Sequence, residues 1–269
     1  MIKDITFGQY FESNSFLHRL DPRAKLILLI LYIVFIFLCK NIYSLLYLAV
    51  VFFAVIFISK VPITMYLKNL KSILPIVIFT GLINLFYNDS GKTLFNIFKL
   101  KVTTGGIYQA SFMSLRIFLL ILISSVLTYT TTPNDLTDAI ESLLKPLSLI
   151  GLSVAVHTLA MMMTIALRFI PTLVEETQKI MNAQKARGAD LENGKFKERL
   201  KALIPILIPL LISSVRRAYE LAEAMECRCY NGGVGRVRMK RLKYSFSDLI
   251  ALVFSLVSCA AVIIINIKV

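Results

Sequence analysis

Two stretches of the chain set a single arginine between small side chains just where a long helical pattern runs out. One is Asn182-Ala183-Gln184-Lys185-Ala186-Arg187-Gly188-Ala189. The other, about forty residues on, is Glu223-Ala224-Met225-Glu226-Cys227-Arg228-Cys229-Tyr230. The chemistry open to such a tip is recognition rather than bond-making. Small neighbours let a guanidinium enter a narrow pocket, and its planar fork matches carboxylates and backbone carbonyls. An arginine that only meets the carbonyl end of its own helix would gain about 0.3–1 kcal/mol from the dipole, which accounts for one such end taken alone. Two of them in one charged block have the form of a paired docking device.

Residue types that would do catalysis are not arranged for it. Gly91-Lys92-Thr93 has Phe86 where the first glycine of a P-loop belongs, so the chain is not expected to hold ATP that way. The only histidines, His18 and His157, form no His-Glu-x-x-His zinc motif. Asp135 and Asp138 share a helix face, but a metal–diphosphate site needs a denser aspartate cluster. They read as N-cap and first-turn acids favoured by the helix dipole. Cys39, Cys227, Cys229 and Cys259 make no disulfide framework, and Cys227-x-Cys229 is too tight for a zinc knuckle without histidine partners. No metal site is expected.

Two further features carry an open choice. Arg116 falls inside an apolar run, where a charge at the bilayer centre costs roughly 2.5–3.5 kcal/mol; it must lie near an end or face the bundle interior. It serves either a partner subunit or substrate path, or an interhelical hydrogen bond. Met161-Met162-Met163 suits a surface that adapts to more than one partner shape, although each methionine alone is more often plain packing.

The elements that position these residues lie in a chain of 269 residues, 57% hydrophobic and 17% charged, with mean hydropathy +0.73. A soluble domain is nearer 45–50% apolar and a quarter charged, so several stretches must face lipid. The net charge of +14 lacks the aromatic-interleaved basic patches of a nucleic-acid binder. It fits instead the lysine and arginine excess that holds loops on the cytoplasmic side.

Asp21-Pro22 marks a helix start, aspartate as N-cap and proline in the first turn. Arg19, Arg23 and Lys25 then sit just outside the apolar run Leu26–Leu38, their stems snorkelling with the charges at the headgroups, which places the N-terminus in the cytoplasm. No small-residue cleavage site follows that run, so it is expected to be retained as an anchor. Further runs cover Ile42–Ser59, Ser72–Tyr87, Ile107–Thr128 and Phe246–Ile267. Lys60, Lys68 and Lys71 fit a cytoplasmic connection. Asn88–Gly106 should be extracytoplasmic yet holds Lys92, Lys99 and Lys101, which suits a short strand or interfacial helix.

Thr130–Tyr244 mixes helical periodicity with charge. Thr131–Asp135 is a turn and cap signal leading into a short amphipathic helix to about Leu149. Ser153–Ala186 and Lys197–Cys229 read as long helices, with Gly188 and Asn231-Gly232-Gly233 as their stops, and the basic run Arg236–Lys243 leads back to the membrane. Pro146–Val174 is interrupted by His157, Arg168 and Pro171, and Leu203–Val215, at about 20 Å, is short for a core of about 30 Å. The reading is an all-α integral membrane protein with about five transmembrane helices and a semi-submerged cytoplasmic layer. Its parts are a membrane domain, 1–129, a coupling block, 130–244, and a last transmembrane helix, 245–269.

The two arginine tips resemble those of a known family, the transmembrane T component of energy-coupling factor (ECF) transporters, which shows Ala-Arg-Gly on each of two coupling helices. Here Ala186-Arg187-Gly188 keeps the signature, while Cys227-Arg228-Cys229 keeps the arginine and small flanks but neither alanine nor glycine. Leu17–Lys25, Thr130–Leu144, Leu167-Arg168-Phe169-Ile170-Pro171 and Arg216-Arg217-Ala218 match as well. The resemblance implies a non-catalytic subunit of a bacterial cell-membrane importer for a vitamin or a transition-metal ion. It implies two cytoplasmic ABC ATPase subunits docking at Arg187 and Arg228, with ATP and magnesium held by those partners and no cofactor here. A small membrane substrate-binding subunit would meet the surface around Met161, Met162 and Met163, with Arg116 as a further candidate, and no nucleic acid is involved. Two other classes are weighed against it. A membrane enzyme of lipid or prenyl metabolism would need clustered acids or histidines at one membrane face. A channel or secondary transporter would need ionisable residues or broken helices near the midplane in paired repeats.

Overall fold

The computed structural model of the protein describes residues 10–87, 93–97, 100–146, 153–189, 196–231 and 243–268. In chain order its elements are α1 (Phe16–Arg19), α2 (Pro22–Leu38), α3 (Ile42–Ser59), α4 (Ile63–Tyr87), β1 (Thr93–Ile97), β2 (Leu100–Thr103), α5 (Thr104–Thr130), α6 (Pro133–Leu144), α7 (Ser153–Ala186), α8 (Phe196–Glu226) and α9 (Phe246–Lys268). This is an all-α membrane fold carrying one short antiparallel hairpin, β1–β2, within the Asn88–Gly106 loop. Lys92 and Lys99 of that loop, the Gly232-Gly233 stop, the remainder of the amphipathic helix to Leu149 and the basic run over residues 236–242 lie outside the described residues. The chain divides into two compact units, one of Gly8–Leu136 with Arg241–Val269 and one containing Thr137–Lys240.

Among the described residues, six helices are long and apolar enough to cross a membrane: α3, α4, α5 and α9, and also Ala155–Ala186 of α7 and Lys201–Glu226 of α8. The expected run Leu26–Leu38 lies in α2, whose 17 residues extend about 26 Å at 1.5 Å per residue. Leu203–Val215 is not a short helix but the apolar middle of the 31-residue α8, so its length does not exclude it from the bilayer. What separates α7 and α8 from the others is composition. The most apolar stretch of each averages a hydropathy of 1.4, against 2.5 for α3 and 2.7 for α9, and charged residues gather in the last third of each.

α4 also differs from the expected connection. It begins at Ile63, so Lys68 and Lys71 lie on the helix and only Lys60, in the left-handed conformation at φ 55°, remains in the turn after α3. Pro75 therefore sits inside a 25-residue helix. Packing against α5 explains the extension: Asn69 donates to Ser125 at 2.7 Å, Tyr129 donates to the Met65 carbonyl at 3.2 Å, and the Tyr66 and Tyr129 rings meet edge to face.

α5 is the axis of this membrane unit, packed along α4, α2 and α3, while α9 packs on α2 and α3. Ile36, Leu45, Leu48, Phe52, Leu119 and Val262 are fully buried between them. α9 runs parallel to α2, tied at both ends. At one end Asn266 accepts the Lys40 N–H and donates to the Leu38 carbonyl. At the other the buried Asp248 carboxylate accepts the Asp21 N–H through Oδ1 and the Ser245 N–H through Oδ2, each at 2.7 Å. One carboxylate thus serves two helix N-termini, where anions are favoured. Asp21 in turn caps α2 by accepting the Arg23 N–H.

Beside it, Lys25 departs from the snorkelling expected of it. Its side chain turns inward, 8% exposed, and Nζ donates to the Thr130 carbonyl at 2.8 Å and to Thr131 Oγ1 at 3.4 Å. The carboxylates of Asp135, Asp248 and Asp21 act on the same ammonium. In the preceding segment, burial pushes the His18 imidazole below its ordinary pKa, with Lys25 acting in the same sense against the raising effect of the Phe11 carbonyl. The neutral ring fits its partners: Nε2–H donates to that carbonyl at 2.8 Å and Nδ1 accepts from Ser15 at 2.7 Å.

Replacing Asp248 leaves two helix N-termini short of an acceptor and Lys25 short of a counter-charge. Asp248→Ala is expected to destabilise the unit by about 2–4 kcal/mol, read as a lowered unfolding midpoint in mild detergent. An unchanged midpoint would remove this carboxylate from the frame of the fold.

Candidate functional site

The two arginine tips are built on the same backbone. After α7, the Gly188 N–H donates to the Lys185 carbonyl and the Ala189 N–H to the Gln184 carbonyl, both at 3.0 Å, with Gly188 at φ 87°. After α8, the Cys229 N–H donates to the Glu226 carbonyl at 2.8 Å and the Tyr230 N–H to the Met225 carbonyl at 3.0 Å, with Cys229 at φ 53°. Each is a Schellman motif, in which a left-handed residue folds the chain back onto the last carbonyls. Arg187 and Arg228 both occupy the C-cap position. Ala186, Arg187 and Gly188 are exposed, as are Cys227, Arg228 and Cys229. Among the described residues neither guanidinium has a hydrogen-bond or ion-pair partner, so neither is spent on its own helix end.

α7 and α8 pack against each other, and their cross-contacts run in opposite directions along the chain. Tyr230 donates to Met161 Sδ at 3.0 Å, Arg217 pairs with Glu176, which also accepts from Ser213, and Gln184 donates to the Pro205 carbonyl at 3.4 Å. The later residue on one helix meets the earlier on the other, so the pair is antiparallel. The tips are consequently not side by side but at opposite ends, roughly 40 Å apart from the helical rise between Met161 and Arg187. A groove of about 500 Å³ follows the pair toward the α8 tip, lined by Phe169, Leu173, Leu221, Met225 and Tyr230.

The methionine cluster is divided by this packing. Met161 turns to Tyr230, directly beyond the Arg228 tip, whereas Met162 and Met163 are 59% and 40% exposed. Arg116 belongs to the other unit. From the middle of α5 its Nη2 donates to the Cys39 carbonyl, the C-cap of α2, at 2.8 Å, and its guanidinium lies over the Phe112 and Phe37 rings at 4.6 and 5.9 Å. That contact supplies a donor to a helix end that lacks one, and is an interhelical hydrogen bond of the kind the sequence offered as one of its two alternatives. Among the described residues there is no group of three or more histidine, cysteine, aspartate or glutamate side chains placed to hold a metal ion.

Glu176, Ser213 and Tyr230 were not singled out from the sequence. The signal for them was present: once Ser153–Ala186 and Lys197–Cys229 are read as consecutive long helices, an antiparallel hairpin puts Glu176 opposite Arg217.

The family described as cobalt transport protein (CbiQ) matches residues 13–240. The energy-coupling factor transporter transmembrane protein EcfT of Clostridium kluyveri is 52% identical over 258 residues, 96% of this chain and 95% of its own. That of Ruminiclostridium cellulolyticum is 52% identical over 250 residues, 93% and 92% of the two chains, and that of Bacillus subtilis 45% over 263 residues, 98% of each. The chain belongs to this family of energy-coupling factor transporter transmembrane proteins. It is therefore a multi-pass membrane component of a transporter and not an enzyme, which sets aside the lipid- and prenyl-enzyme class. Membership spans both the membrane unit and the α7–α8 pair.

The left-handed position distinguishes the tips energetically. A side chain there costs roughly 1–2 kcal/mol, which Gly188 escapes and Cys229 bears. Cys229→Gly is expected to firm the α8 tip by about 1 kcal/mol and Gly188→Ala to loosen the α7 tip by a similar amount. A Cβ at Gly188 would meet nothing within 4 Å, so its cost is conformational alone. Amide hydrogen exchange across residues 227–230 and 186–189 should shift about fivefold, in opposite directions.

Proposed function

We propose that this chain is the coupling subunit of an ATP-driven importer, in which Arg187 and Arg228 each seat one of two cytoplasmic ABC ATPase subunits. Residues 130–244 then form the coupling block between membrane segments 1–129 and 245–269, and both tips, with the N-terminus, face the cytoplasm of a bacterial cell. ATP and magnesium are held by the partners, and this chain carries no cofactor.

The observation that carries the reading is the duplicated tip: one backbone motif, one exposed C-cap arginine and small flanks, presented twice at opposite ends of an antiparallel pair. A domain of about 250 residues has a radius of gyration of about 18 Å. Two such domains in contact have centres on the order of 40 Å apart, which fits one socket per tip and not a single subunit spanning both. A C-cap arginine has its helix's own carbonyls behind it and five N–H donors in front, the arrangement that suits a carboxylate pocket.

The antiparallel pair supplies the mechanism. Approach or separation of two ATPases on nucleotide exchange pulls on the two ends of one packed rod, whose register is held by Glu176, Ser213 and Arg217. A change in α7–α8 crossing is then delivered to the exposed methionines Met162 and Met163, the surface assigned to a small membrane substrate-binding subunit. That subunit would carry the vitamin or transition-metal ion and its specificity.

Charge reversal tests the sockets. Arg187→Glu and Arg228→Glu, each in the tagged full-length chain, should weaken ATPase affinity at the altered tip at least about tenfold and so lower ATPase recovery from mild detergent to about half, since a stranded partner charge typically costs 2–5 kcal/mol. Arg228→Glu is expected to have the milder effect of the two, given its altered flanks. Undiminished ATPase recovery with both variants would overturn the docking assignment.

A further inference from the structure

The two tips share a fold but not a chemistry. The α7 tip carries no thiol, whereas the α8 tip carries two, on both sides of its arginine, and both Cys227 and Cys229 are exposed. The remaining cysteines, Cys39 and Cys259, are buried in the packed helices of the membrane unit. All the exposed thiols of the described residues are thus collected at one tip. Neither thiol is committed elsewhere: no metal-holding group of three or more ligands includes them, and the contacts that build the turn are made by their backbones.

We propose that Cys227 and Cys229 form a thiol-modification site, reactive toward low-molecular-weight disulfides, whose occupation releases the ATPase contact at Arg228 and leaves the one at Arg187 in place. The proposal rests on the docking reading of the arginine tips. In the reaction one of the two cysteines, as thiolate, attacks one sulfur of the small disulfide. The disulfide S–S bond breaks, a protein–S–S–R bond forms, and the other half departs as a thiolate that takes up the proton the cysteine gave. Oxidation of the protein sulfur is balanced by reduction of the leaving half, so the small disulfide is the only co-reactant.

The consequence follows from size and distance. Entry of a guanidinium into a narrow socket depends on its immediate neighbours being small, and a peptide-sized adduct on the adjacent residue removes that condition. The Schellman turn holds Cys227 and Cys229 one residue either side of Arg228, so an adduct on either thiol stands beside the arginine. The α7 tip, roughly 40 Å away along the pair, is beyond its reach and has no thiol of its own. Modification therefore detaches one ATPase of two, and a pair of ATPases that must act together is disabled without loss of the whole complex. Seating of the ATPase covers the same thiols, so the adduct forms in the intervals when the ATPase has dissociated and prevents its return.

The test uses the tagged full-length chain in mild detergent, treated with glutathione disulfide, freed of reagent, and then mixed with untreated ATPase subunits. Peptide mass spectrometry should find the glutathione adduct on Cys227 or Cys229 and none on Cys39 or Cys259. ATPase affinity at the α8 tip should fall at least about tenfold, reducing bound ATPase to about half on a stoichiometric column, and a dithiol reductant should restore it. In a Cys227→Ala/Cys229→Gly double variant, whatever ATPase it binds untreated should be unchanged by the disulfide. Absence of adduct on both tip cysteines, full ATPase binding by the adduct-bearing chain, or equal sensitivity of the double variant would each overturn the proposal. Arg228→Glu, run alongside, separates the two layers. If it loses ATPase while the glutathionylated wild type does not, the thiol proposal alone fails; if it binds ATPase fully, the docking reading fails and takes the proposal with it.

Discussion

The ion pair between Glu176 and Arg217, with Ser213 on the same carboxylate, joins two helices of 34 and 31 residues about two-thirds of the way along each. Its position fixes which turn of α7 meets which turn of α8. A slip of one helical turn would move about 5.4 Å of one helix past the other, separating Tyr230 from Met161 and Gln184 from Pro205 together. Because the pair is antiparallel, that register also sets how far apart Arg187 and Arg228 stand. An amphipathic helix pair with an ion pair at this point and weaker contacts toward either end can change its crossing angle about that point. Both properties suit the proposed role of linking two ATPase sockets.

Cations placed against helix ends recur through the membrane unit. Lys25 is turned onto the carbonyl that closes α5, and Arg116 onto the carbonyl that closes α2. In each case a charge that lipid would not tolerate supplies a donor to a helix C-terminus that has none of its own, and the dipole there favours it. The exposed arginines at the tips of α7 and α8 occupy equivalent helix ends, but there the Schellman turn already satisfies the carbonyls through backbone N–H groups. Among the described residues their guanidiniums have no hydrogen-bond or ion-pair partner, which is what the proposed docking role requires. The four cations thus divide by geometry into two bonded to helix-end carbonyls and two exposed beyond helix ends.

Much of this was legible in the residues. The Asp21-Pro22 start, the long helices closing at Ala186 and near Glu226, and the membrane runs that became α3, α5 and α9 follow from capping preference and hydropathy, which act locally. Gly188 signalled its left-handed turn. Cys229 did not, because glycine is the usual marker of that conformation and a cysteine adopting it leaves no trace in composition. The start of α4 was misplaced because Pro75 and two lysines read as a boundary, whereas packing of Asn69, Met65 and Tyr66 on α5 outweighs them. The inward turn of Lys25 was hidden for a similar reason: a lysine flanking an apolar run is ordinarily a snorkelling one, and the Thr130 carbonyl that captures it lies 105 positions away. The opposite placement of the two tips is not contained in the spacing within either helix; it follows only once α7 and α8 are taken together as an antiparallel hairpin.

The parallel alignment of α2 and α9 has a consequence in time. The Asp21 amide at the head of the first long helix finds its acceptor in Asp248, 227 positions later, and the Leu38 carbonyl at that helix's far end finds its donor in Asn266, 228 positions later. At a synthesis rate of about 5–20 residues per second, that interval is on the order of 10–45 s. Throughout it the first helix stands in the bilayer with both ends waiting, and α3 and α5 must assemble beside it without the element that will close the bundle. α9 emerges from the ribosome long after the helix it completes, so the membrane unit cannot close around α2 until that later segment has been made.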